Sequence, residues 1–315
     1  MIIILSDLLV DIAMKFQSFP VEAGQCQGLS YLEIGPGGAN NIAIMAARMG
    51  LPVKCLGEIG DDTFGEIVLS GLRREGIDVE DIIVSEKVQT PVAVVLVDKA
   101  AEPAYLGSPG SLQVKRYPTE WDSSIKNAEA LFADGWVEHD AGTEIILSAF
   151  QLAENANVPV FFDPGPMNPA LDPAWAIKAI ELTDVLLVNE EEARRLTNKE
   201  DTEEAAKNLL TLGPKLVVLK RGRQGITFFT AENTLHTPAF PVEVVDKTGA
   251  GDSVTGAILY GYLKGLGLSE LGLLANAVGA AKVQKLGTGH NLPTLDEVCS
   301  IAARFEVKLP INQDN

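Results

Sequence analysis

The chain has 315 residues, 46% of them hydrophobic and 22% charged, which is typical of a globular protein and excludes an intrinsically disordered one. Its formal net charge of -18 at pH 7 argues against a nucleic-acid or anionic-membrane partner, because either would call for clustered lysine and arginine. The three cysteines are far apart in the sequence and fit no disulfide or zinc pattern. The first residues lack a basic leader and no apolar run reaches the length of a membrane span, so we expect a cytoplasmic protein.

Short runs of valine, isoleucine and leucine alternate with amphipathic segments along the chain. We predict strands at Ile2–Leu5, Val53–Leu56, Ala130–Ala133, Val158–Phe162, Val185–Val188 and Leu216–Leu219. We predict helices at Asn40–Met49, Phe64–Glu75, Thr143–Asn155, Glu190–Leu196 and Glu203–Leu212, and another after Asp252. This alternation indicates an α/β fold, a doubly wound and mostly parallel sheet flanked by helices. No linker or repeat divides it, which predicts a single domain over residues 1–315.

Two segments interrupt the alternation, residues 12–34 and residues 90–106. The second contains the strand-like run TPVAVVLVD followed by the turn KAAEP. We interpret both as β segments inserted into the α/β core that form a small β-sheet lid across one end. An extra edge hairpin of the main sheet is the alternative.

Polar or small residues follow the ends of the predicted strands, where ligands bind in open α/β sheets. In chain order these are Asp11, Gly35–Asn41, Asp163–Pro166, Asn189–Glu192, Lys220–Gly225 and Asp246–Asp252. Each also has a plainer structural interpretation. Glycine-rich turns often only close strand-to-helix corners, Asn189 before three glutamates also fits a helix N-cap, and Asp11 also fits a solvated loop.

The stretch VVDKTGAGDSVTG, Val244–Gly256, places three small residues directly before a carboxylate at the start of a predicted helix. The small residues are Gly249, Ala250 and Gly251, and the carboxylate is Asp252. The first N–H groups of a helix have no partner within it and form an anion site, which small side chains leave open. A carboxylate there is either a plain N-cap or a group with a chemical role.

Longer patterns around these residues resemble the ribokinase family of sugar and nucleoside kinases, also called the PfkB family. DKTGAGDSVTG is similar to the family's C-terminal signature, and GPGGANNIAIMAARMGLPVKCLGEIGDDTFGEIVLSGLRREGIDV to its N-terminal one. NEEEA, KRGRQG and ANAVGAAKVQKLG follow in the family's order, so the resemblance covers essentially the whole chain. Pro36, Lys247 and Val254 depart from the residues that are common at those positions. The resemblance implies a ribokinase-like fold.

The resemblance also implies a reaction, the transfer of the γ-phosphoryl group of ATP to a hydroxyl of a sugar or nucleoside. It implies that Asp252 is the general base and that the N–H groups of residues 249–251 bind the phosphates of ATP. Asp11 and Asn41 match positions that hydrogen-bond acceptor hydroxyls. Gly37 and Gly38 let the backbone approach the acceptor.

Three further sites follow from the resemblance. Asn189 and Glu192 match an N-x-x-E motif that helps position Mg²⁺ and its waters. Asp246 and its neighbours resemble a loop that holds a monovalent cation such as K⁺ in many members. The region that borders the nucleotide matches at four positions, Lys220, Gly222, Gly225 and Asn276. The implied cofactors are ATP and Mg²⁺, with K⁺ as a third.

The sequence bears on three other functional classes. The first strand leads into SDLLVDIAMKF with no G-x-G-x-x-G turn, which argues against a dinucleotide-dependent oxidoreductase. The nearest match to a P-loop, GDDTFGE at Gly60–Glu66, has glutamate where the phosphate-binding lysine belongs. A catalytically silent sugar-binding protein on the same fold stays open, since fold does not fix function.

The lid segments bear on the acceptor and on assembly. Their only basic residues are Lys15 and Lys99, which offer little charge for a phosphorylated sugar. We therefore predict a small neutral acceptor, ribose-, fructose- or 2-keto-3-deoxy-sugar-like, with a nucleoside as the alternative. The run VAVVLV at Val92–Val97 has little polar alternation, and a homodimer joined through the lids, as is common in the family, would cover it.

Overall fold

Helices and strands alternate in the computed structural model, which describes residues 1–5, 7–16, 23–24, 26, 28–98, 103–108, 116–135, 140–165 and 174–311. The strands are β1 (Ile2–Leu5), β2 (Leu8–Lys15), β3 (Tyr31–Gly38), β4 (Val53–Gly60), β5 (Ile82–Ser85), β6 (Val92–Val97), β7 (Pro103–Ser108), β8 (Ala130–Asp134), β9 (Val160–Asp163), β10 (Val185–Asn189), β11 (Leu216–Lys220), β12 (Ile226–Phe229) and β13 (Thr234–Thr237). The helices are α1 (Asn40–Arg48), α2 (Thr63–Arg74), α3 (Asp122–Lys126), α4 (Asp140–Asn155), α5 (Ala174–Glu181), α6 (Glu190–Thr197), α7 (Thr202–Leu210), α8 (Ala250–Leu263), α9 (Leu268–Val283) and α10 (Leu295–Arg304).

The main sheet has nine strands in the order β13-β12-β11-β10-β9-β8-β1-β4-β5. The strands from β11 to β5 in this order are parallel, while β12 and β13 extend one edge as antiparallel strands. The predicted α/β sheet is confirmed, and every predicted strand and helix is present. The sequence analysis did not predict α3, α5, α9, α10, β5, β12 and β13. Of these, α9 is apolar on nearly all sides and so lacks an amphipathic pattern.

The sheet is covered on both faces, as its apolar strands require. Along β1, Ile2 and Ile4 point into one core, and Ile3 and Leu5 point into the other. Helices α1, α2, α8, α9 and α10 pack on the first face, and α3 to α7 pack on the second. No helix of the described residues is long and apolar enough to cross a membrane.

A second, smaller sheet contains four strands in the order β3-β2-β6-β7. The predicted lid segments contribute to it, with residues 17–22, 25, 27 and 99–102 outside the described part of the chain. Because this sheet is separate from the main one, the edge-hairpin alternative is wrong. The sheet is longer than predicted, since β2 begins at Leu8 and β3 continues to Gly38. Gly35–Gly37 therefore lie in a strand, and only Gly38 at its end forms the corner that leads into α1.

The two faces of the small sheet differ in chemistry. The strand register places eight apolar side chains on what we call the outer lid face, namely Ile12, Met14, Leu32, Ile34, Val94, Leu96, Ala104 and Leu106. Leu32, Ile34 and Leu106 are 57%, 48% and 62% exposed. The alternate positions form the inner lid face, which carries Asp11, Tyr31, Glu33 and Tyr105. An apolar face that lies open agrees with the expectation from VAVVLV, although β3 and β7 supply its most exposed residues.

Candidate active site

The N-terminus of α8 forms the centre of the candidate site. The helix begins at Ala250, and Gly249 before it has a φ of +72°, a left-handed conformation that favours glycine. Asp252 lies in the first turn of the helix, so the N-cap interpretation of this aspartate is wrong. The Ala250 N–H donates to the Lys247 carbonyl at 3.1 Å, so this predicted phosphate donor is already engaged. The Gly249 and Gly251 N–H groups remain the candidates for binding an anion.

Close packing of α8 on α1 brings Asn41 to Asp252. A Cβ at Gly256 would lie 2.8 Å from the Met45 Cβ, so glycine lets the two helices touch. Because Met45 and Gly256 each follow their site residue by four positions, the contact aligns the two helix starts. The Asn41 Nδ2 donates to the Asp252 Oδ2 at 3.1 Å. Both helix N-termini, each with its positive end, therefore face the same space.

The environment of Asp252 suits a proton acceptor. Burial raises the pKa of Asp252 to about 6, against the hydrogen bond from Asn41 and the positive charge of Lys220, which lower it. Its carboxylate is thus ionised at pH 7 but more basic than an exposed aspartate. A general base works best when its pKa is close to the operating pH.

Asp11 lies inside β2, where it is 6% exposed, and not in a solvated loop after the first strand. The Thr288 Oγ1 donates to its Oδ2 at 2.6 Å. The pKa of Asp11 is raised to about 7, mainly by burial and also by nearby carboxylates, while the Thr288 hydrogen bond opposes the rise. A Cβ at Gly37 would lie 2.0 Å from the Asp11 Cγ, so the adjacent strand needs glycine to pass the carboxylate.

Asn40 holds the end of β3 against this carboxylate, a role that the sequence analysis missed. Its Nδ2 donates to the Gly37 carbonyl at 2.8 Å and to the Leu9 carbonyl at 3.1 Å. Gly38 has a φ of +57°, which turns the chain from β3 into α1. The last two glycines and the two asparagines of GPGGANN thus act together, with Asn40 fixing the backbone and Asn41 reaching Asp252.

The segment after α9, residues 287–291, joins the acceptor-side residues into one network. The Gly287 N–H donates to the Asp246 Oδ2 at 2.9 Å, and the Gly289 N–H donates to the Asn41 Oδ1 at 2.8 Å. Between them, Thr288 binds Asp11. No local motif predicts a role for Thr288, because its partner Asp11 is distant in the sequence.

Asn291 connects the same segment to the inner lid face. Its Nδ2 lies 2.6 Å from both the Tyr31 hydroxyl and the Glu33 Oε2. Tyr31 donates its own hydroxyl hydrogen bond to Glu33. A Cβ at Gly287 would lie 2.5 Å from both the Glu33 Oε2 and the Tyr31 hydroxyl, so the segment passes directly beneath the lid.

A second cluster lies at the carboxyl ends of β9, β10 and β11. Lys220 forms an ion pair with Asp163, and its Nζ would lie 3.9 Å from a Cβ at Gly251, beside the start of α8. Burial lowers the pKa of Lys220, but the charges of Asp163 and Glu192 outweigh it and the net shift is upward. The sequence placed Asp163 at a strand end without a role. Its pairing with Lys220 is a long-range contact that no local motif reveals.

Asn189 and Glu192 form a capping box at the start of α6, which confirms the N-cap interpretation of Asn189. The Asn189 Oδ1 accepts from the Glu192 N–H at 2.9 Å, and Glu192 accepts from the Asn189 N–H at 2.7 Å. The pKa of Glu192 is raised to about 7, mainly by burial and also by the charge of Asp163, while the charge of Lys220 opposes the rise, so a cation beside these carboxylates would be favourable. Among the described residues no group of three or more metal-binding side chains is arranged to hold an ion alone.

The predicted nucleotide residues divide into two places. Lys220 belongs to the cluster beside Gly251, whereas Gly225 and Asn276 both contact the segment after β13. A Cβ at Gly225 would lie 2.2 Å from the Thr237 carbonyl oxygen, and the Asn276 Nδ2 donates to that oxygen at 3.0 Å. Gly222 has a φ of +53° and opens toward free space. Their nucleotide role stays a prediction.

Comparison with known proteins agrees with the motifs. The pfkB family carbohydrate kinase pattern matches residues 5–295. A ribokinase from Schizosaccharomyces pombe is 29% identical, over 94% of this chain and 96% of the relative. A nucleoside kinase from Methanothermobacter thermautotrophicus is 29% identical, over 87% of this chain and 87% of the relative. An Escherichia coli protein described as a ribokinase II, solved with ATP and Mg²⁺, has the same fold at a TM-score of 0.84 and 24% identity, covering 96% of this chain and 99% of that chain.

Proposed function

Because this chain belongs to the pfkB family of carbohydrate kinases, we propose that it transfers the γ-phosphoryl group of ATP to a hydroxyl of a small neutral sugar, with Asp252 as the general base. The family makes it a sugar or nucleoside kinase, and the acceptor and residue roles are our proposal. The observation that carries the proposal is the position of Asp252. This carboxylate lies in the first turn of α8, beside the Gly249 and Gly251 N–H groups and hydrogen-bonded to Asn41.

The proposed step is a direct displacement at phosphorus. The acceptor hydroxyl gives its proton to Asp252 as its oxygen attacks the γ-phosphorus, and the bond to the bridging β–γ oxygen breaks to release ADP. The Gly249 and Gly251 N–H groups stabilise the negative charge of the transferring group. Lys220, held by Asp163, adds a positive charge on the phosphate side. Mg²⁺ would neutralise phosphate oxygens there, with Glu192 and Asp163 as the nearby carboxylates.

The charge of the proposed acceptor pocket favours a neutral sugar. Asp11, Glu33, Asp246 and Asp252 lie close enough for the last three to raise the pKa of Asp11. An acceptor that already carries phosphate or carboxylate would be repelled by these groups. Sugar hydroxyls donate hydrogen bonds to carboxylates, so Asp11 with Asn41 suits a polyol. This argument favours ribose- or fructose-like acceptors over 2-keto-3-deoxy sugar acids.

A nucleoside is the second candidate acceptor, because the inner lid face carries two aromatic rings. Tyr31 and Tyr105 lie on that face, and Tyr105 is 55% exposed, so its ring is available to stack on a base. The relative named a nucleoside kinase supports this alternative. A catalytically silent sugar-binding protein fits less well, since such a protein has no use for Lys220 beside the anion site.

The acceptor is tested by measuring ADP release from the purified protein with ATP and Mg²⁺. The panel contains ribose, fructose, 2-keto-3-deoxygluconate, ribose 5-phosphate, adenosine and inosine. We expect turnover with a neutral sugar and little with the two anionic acceptors. Turnover with nucleosides alone would establish the second candidate. Thermal stabilisation by a sugar without any ADP release would establish the silent binder.

Glu192→Gln should lower kcat and raise the Mg²⁺ concentration needed for half-maximal rate, because one negative charge leaves the phosphate side. Its effect on the unfolding free energy has two opposed parts: glutamine cannot accept from both Asn189 donors, but it removes the cost of burying a charged carboxylate. The matched control is Glu270→Gln, whose carboxylate accepts from the Gly267 N–H at the far end of α9. The control should alter stability alone. Identical behaviour of the two variants in Mg²⁺ titrations would leave Glu192 with only its capping role.

We also propose a homodimer joined through the outer lid face. Its apolar residues form a continuous patch over all four strands of the small sheet, and a second copy of the chain would cover this patch. Light scattering at micromolar concentration should give twice the chain mass, and Ile34→Lys should give the single-chain mass. Val84→Lys is the control, because Val84 is 50% exposed on β5 of the main sheet. A monomeric unsubstituted protein would contradict the proposal.

A further inference from the structure

Lys282 is a buried lysine whose side chain lies beside Gly249, at the start of α8. It lies in the last turn of α9 and is 0% exposed. Its Nζ donates to the Lys285 carbonyl at 3.1 Å, and its Cε would lie 3.7 Å from a Cβ at Gly249. A buried ammonium is costly unless nearby groups compensate its charge. The end of the α9 dipole and the surrounding carboxylates supply that compensation.

Two loops meet around this ammonium, residues 245–249 before α8 and residues 285–289 after α9. The Val245 and Asp246 N–H groups both donate to the Val283 carbonyl, at 2.7 and 3.1 Å. In the opposite direction, the Gly287 N–H donates a hydrogen bond to the Asp246 carboxylate. The first loop continues into the Gly249–Gly251 anion site, and the second carries the bonds to Asp11 and Asn41. An interaction that holds these two loops together therefore positions both the anion site and the acceptor-side residues Asp11 and Asn41.

The charges around Lys282 match its position between the loops. Burial lowers the pKa of Lys282 to about 8, and the negative charges of Asp246 and Asp252 oppose that effect. The two carboxylates therefore favour the positively charged form of the side chain.

The residues at this place do not fit the monovalent cation that the resemblance implies beside Asp246. The Asp246 Oδ1 already accepts from the Thr248 N–H at 2.9 Å and from its hydroxyl at 2.7 Å, and the Oδ2 accepts from Gly287. A carboxylate offers about four lone-pair positions, so three are occupied. A carbonyl oxygen of the second loop is likewise committed to the Lys282 ammonium. A K⁺ ion here would also face the repulsion of that ammonium.

From this disagreement we propose that the Lys282 ammonium is a built-in cation, which joins the 245–249 and 285–289 loops and makes the phosphoryl transfer independent of K⁺. Lys282 is then a positioning residue, since it acts on the anion site through Gly249 and Asp246 and not by touching substrate. The proposal rests on the proposed function for its kinetic part. Its structural part, a fixed charge in place of a bound ion, stands independently of the acceptor.

The first measurement uses the unsubstituted protein at constant ionic strength in KCl, NaCl or choline chloride. We expect rates that agree within about twofold, and thermal unfolding temperatures that do not depend on which cation is present. Activation by K⁺ of fivefold or more, or selective thermal stabilisation by K⁺, would overturn the proposal. The unfolding measurement needs no acceptor, so a failure of the proposed kinase function does not affect it.

The second measurement uses Lys282→Ala, which removes the charge and leaves a space. We expect kcat to fall roughly ten- to a hundredfold in choline chloride, less than the 10²- to 10³-fold typical of a donor that touches the reacting oxygens. KCl or methylammonium should restore part of the rate, with acceptor KM little changed. Lys282→Met fills the space without charge, and it should lose activity without rescue. A loss that no cation restores in the alanine variant would reduce Lys282 to a packing role and overturn the proposal.

Lys285→Ala is the matched control, because it removes a neighbouring ammonium but keeps the carbonyl that Lys282 binds. Its side chain pairs with the partly exposed Glu297. This variant should show no dependence on the added cation. If Lys282→Ala does not fold, the salt dependence of the soluble methionine variant decides: K⁺ sensitivity of its unfolding would contradict the proposal, and insensitivity with reduced kcat would support it.

Discussion

Asp252→Asn is expected to lower kcat by about 10²- to 10⁴-fold, the range that a general base contributes. Asparagine keeps the size of the side chain and its hydrogen-bonding oxygen, so the contact with the Asn41 Nδ2 can persist. Among the described residues the other carboxylate oxygen of Asp252 has no hydrogen-bond partner, which leaves it to receive the acceptor proton. The acceptor KM should change little, and the unfolding free energy should not fall, because asparagine removes the cost of burying a charged carboxylate whose pKa is raised to about 6. Asp201→Asn is the control, since Asp201 caps α7 and asparagine caps equally well.

The pH dependence of the rate gives a second, independent sign of the same role. Burial places the pKa of Asp252 at about 6, so the carboxylate is charged above that pH and protonated below it. Only the charged form accepts a proton, and kcat/KM should therefore fall as pH drops through about 6, with a limiting tenfold loss per pH unit. The residual rate of Asp252→Asn should lack this fall. A variant with near-normal kcat, when chemistry limits the rate, would refute the assignment.

Local sequence patterns were sufficient to predict the part of the site that is formed by the N-terminus of a single helix, α8. The glycines before Asp252 were expected at a helix N-terminus, and α8 does begin beside them. The reason is physical, because an anion site of backbone N–H groups needs only a few consecutive residues with the right conformation. The apolar strands were also readable, since burial on both faces leaves an uninterrupted run of valine, leucine and isoleucine.

Contacts between distant segments were not predictable from the same patterns. Asp11 reads as the residue after a strand, yet it lies inside a lid strand and binds Thr288 at the other end of the chain. The partners Lys220 and Asp163 belong to different strands of the parallel sheet. Such pairs are fixed by sheet order and strand register, which hydrophobic periodicity does not specify.

The motif also did not predict that the N–H group of Ala250 is already hydrogen-bonded within the protein. The sequence suggested three equivalent N–H donors at residues 249–251, but the turn that precedes α8 uses the Ala250 N–H for its own Lys247 carbonyl. Turn geometry of this kind depends on the positive φ at Gly249, which a list of small residues does not determine.

Asp11→Asn should raise the acceptor KM roughly 10- to 100-fold while the KM for ATP stays nearly constant. A hydrogen bond to a charged group contributes about 1.5–3 kcal/mol, and the proposed bonds to acceptor hydroxyls exist already in the ground state. The loss should therefore appear in KM, in contrast to the kcat loss of Asp252→Asn. Initial rates over a grid of acceptor and ATP concentrations measure both constants. An equal rise in the two KM values would place Asp11 in general site architecture and not in acceptor binding.

The same variant should be more stable than the unsubstituted protein at pH 8, because Asp11 is a buried carboxylate held for binding and not for folding. Its folded pKa is raised from 3.8 to about 7, so its favourable contribution is present at low pH and is lost as pH rises through about 7. Each pKa unit is worth about 1.4 kcal/mol, so the gain from asparagine should reach a few kcal/mol at pH 8 and shrink toward pH 4.

Asp62→Asn is a control of opposite sign. The Thr90 and Gly65 N–H groups lower the pKa of Asp62 despite partial burial, so this carboxylate stabilises the fold above its unfolded pKa. Chemical denaturation at pH 5 and pH 8 separates the two, and a destabilised Asp11→Asn at pH 8 would contradict the assignment of Asp11 as a group whose burial serves the acceptor.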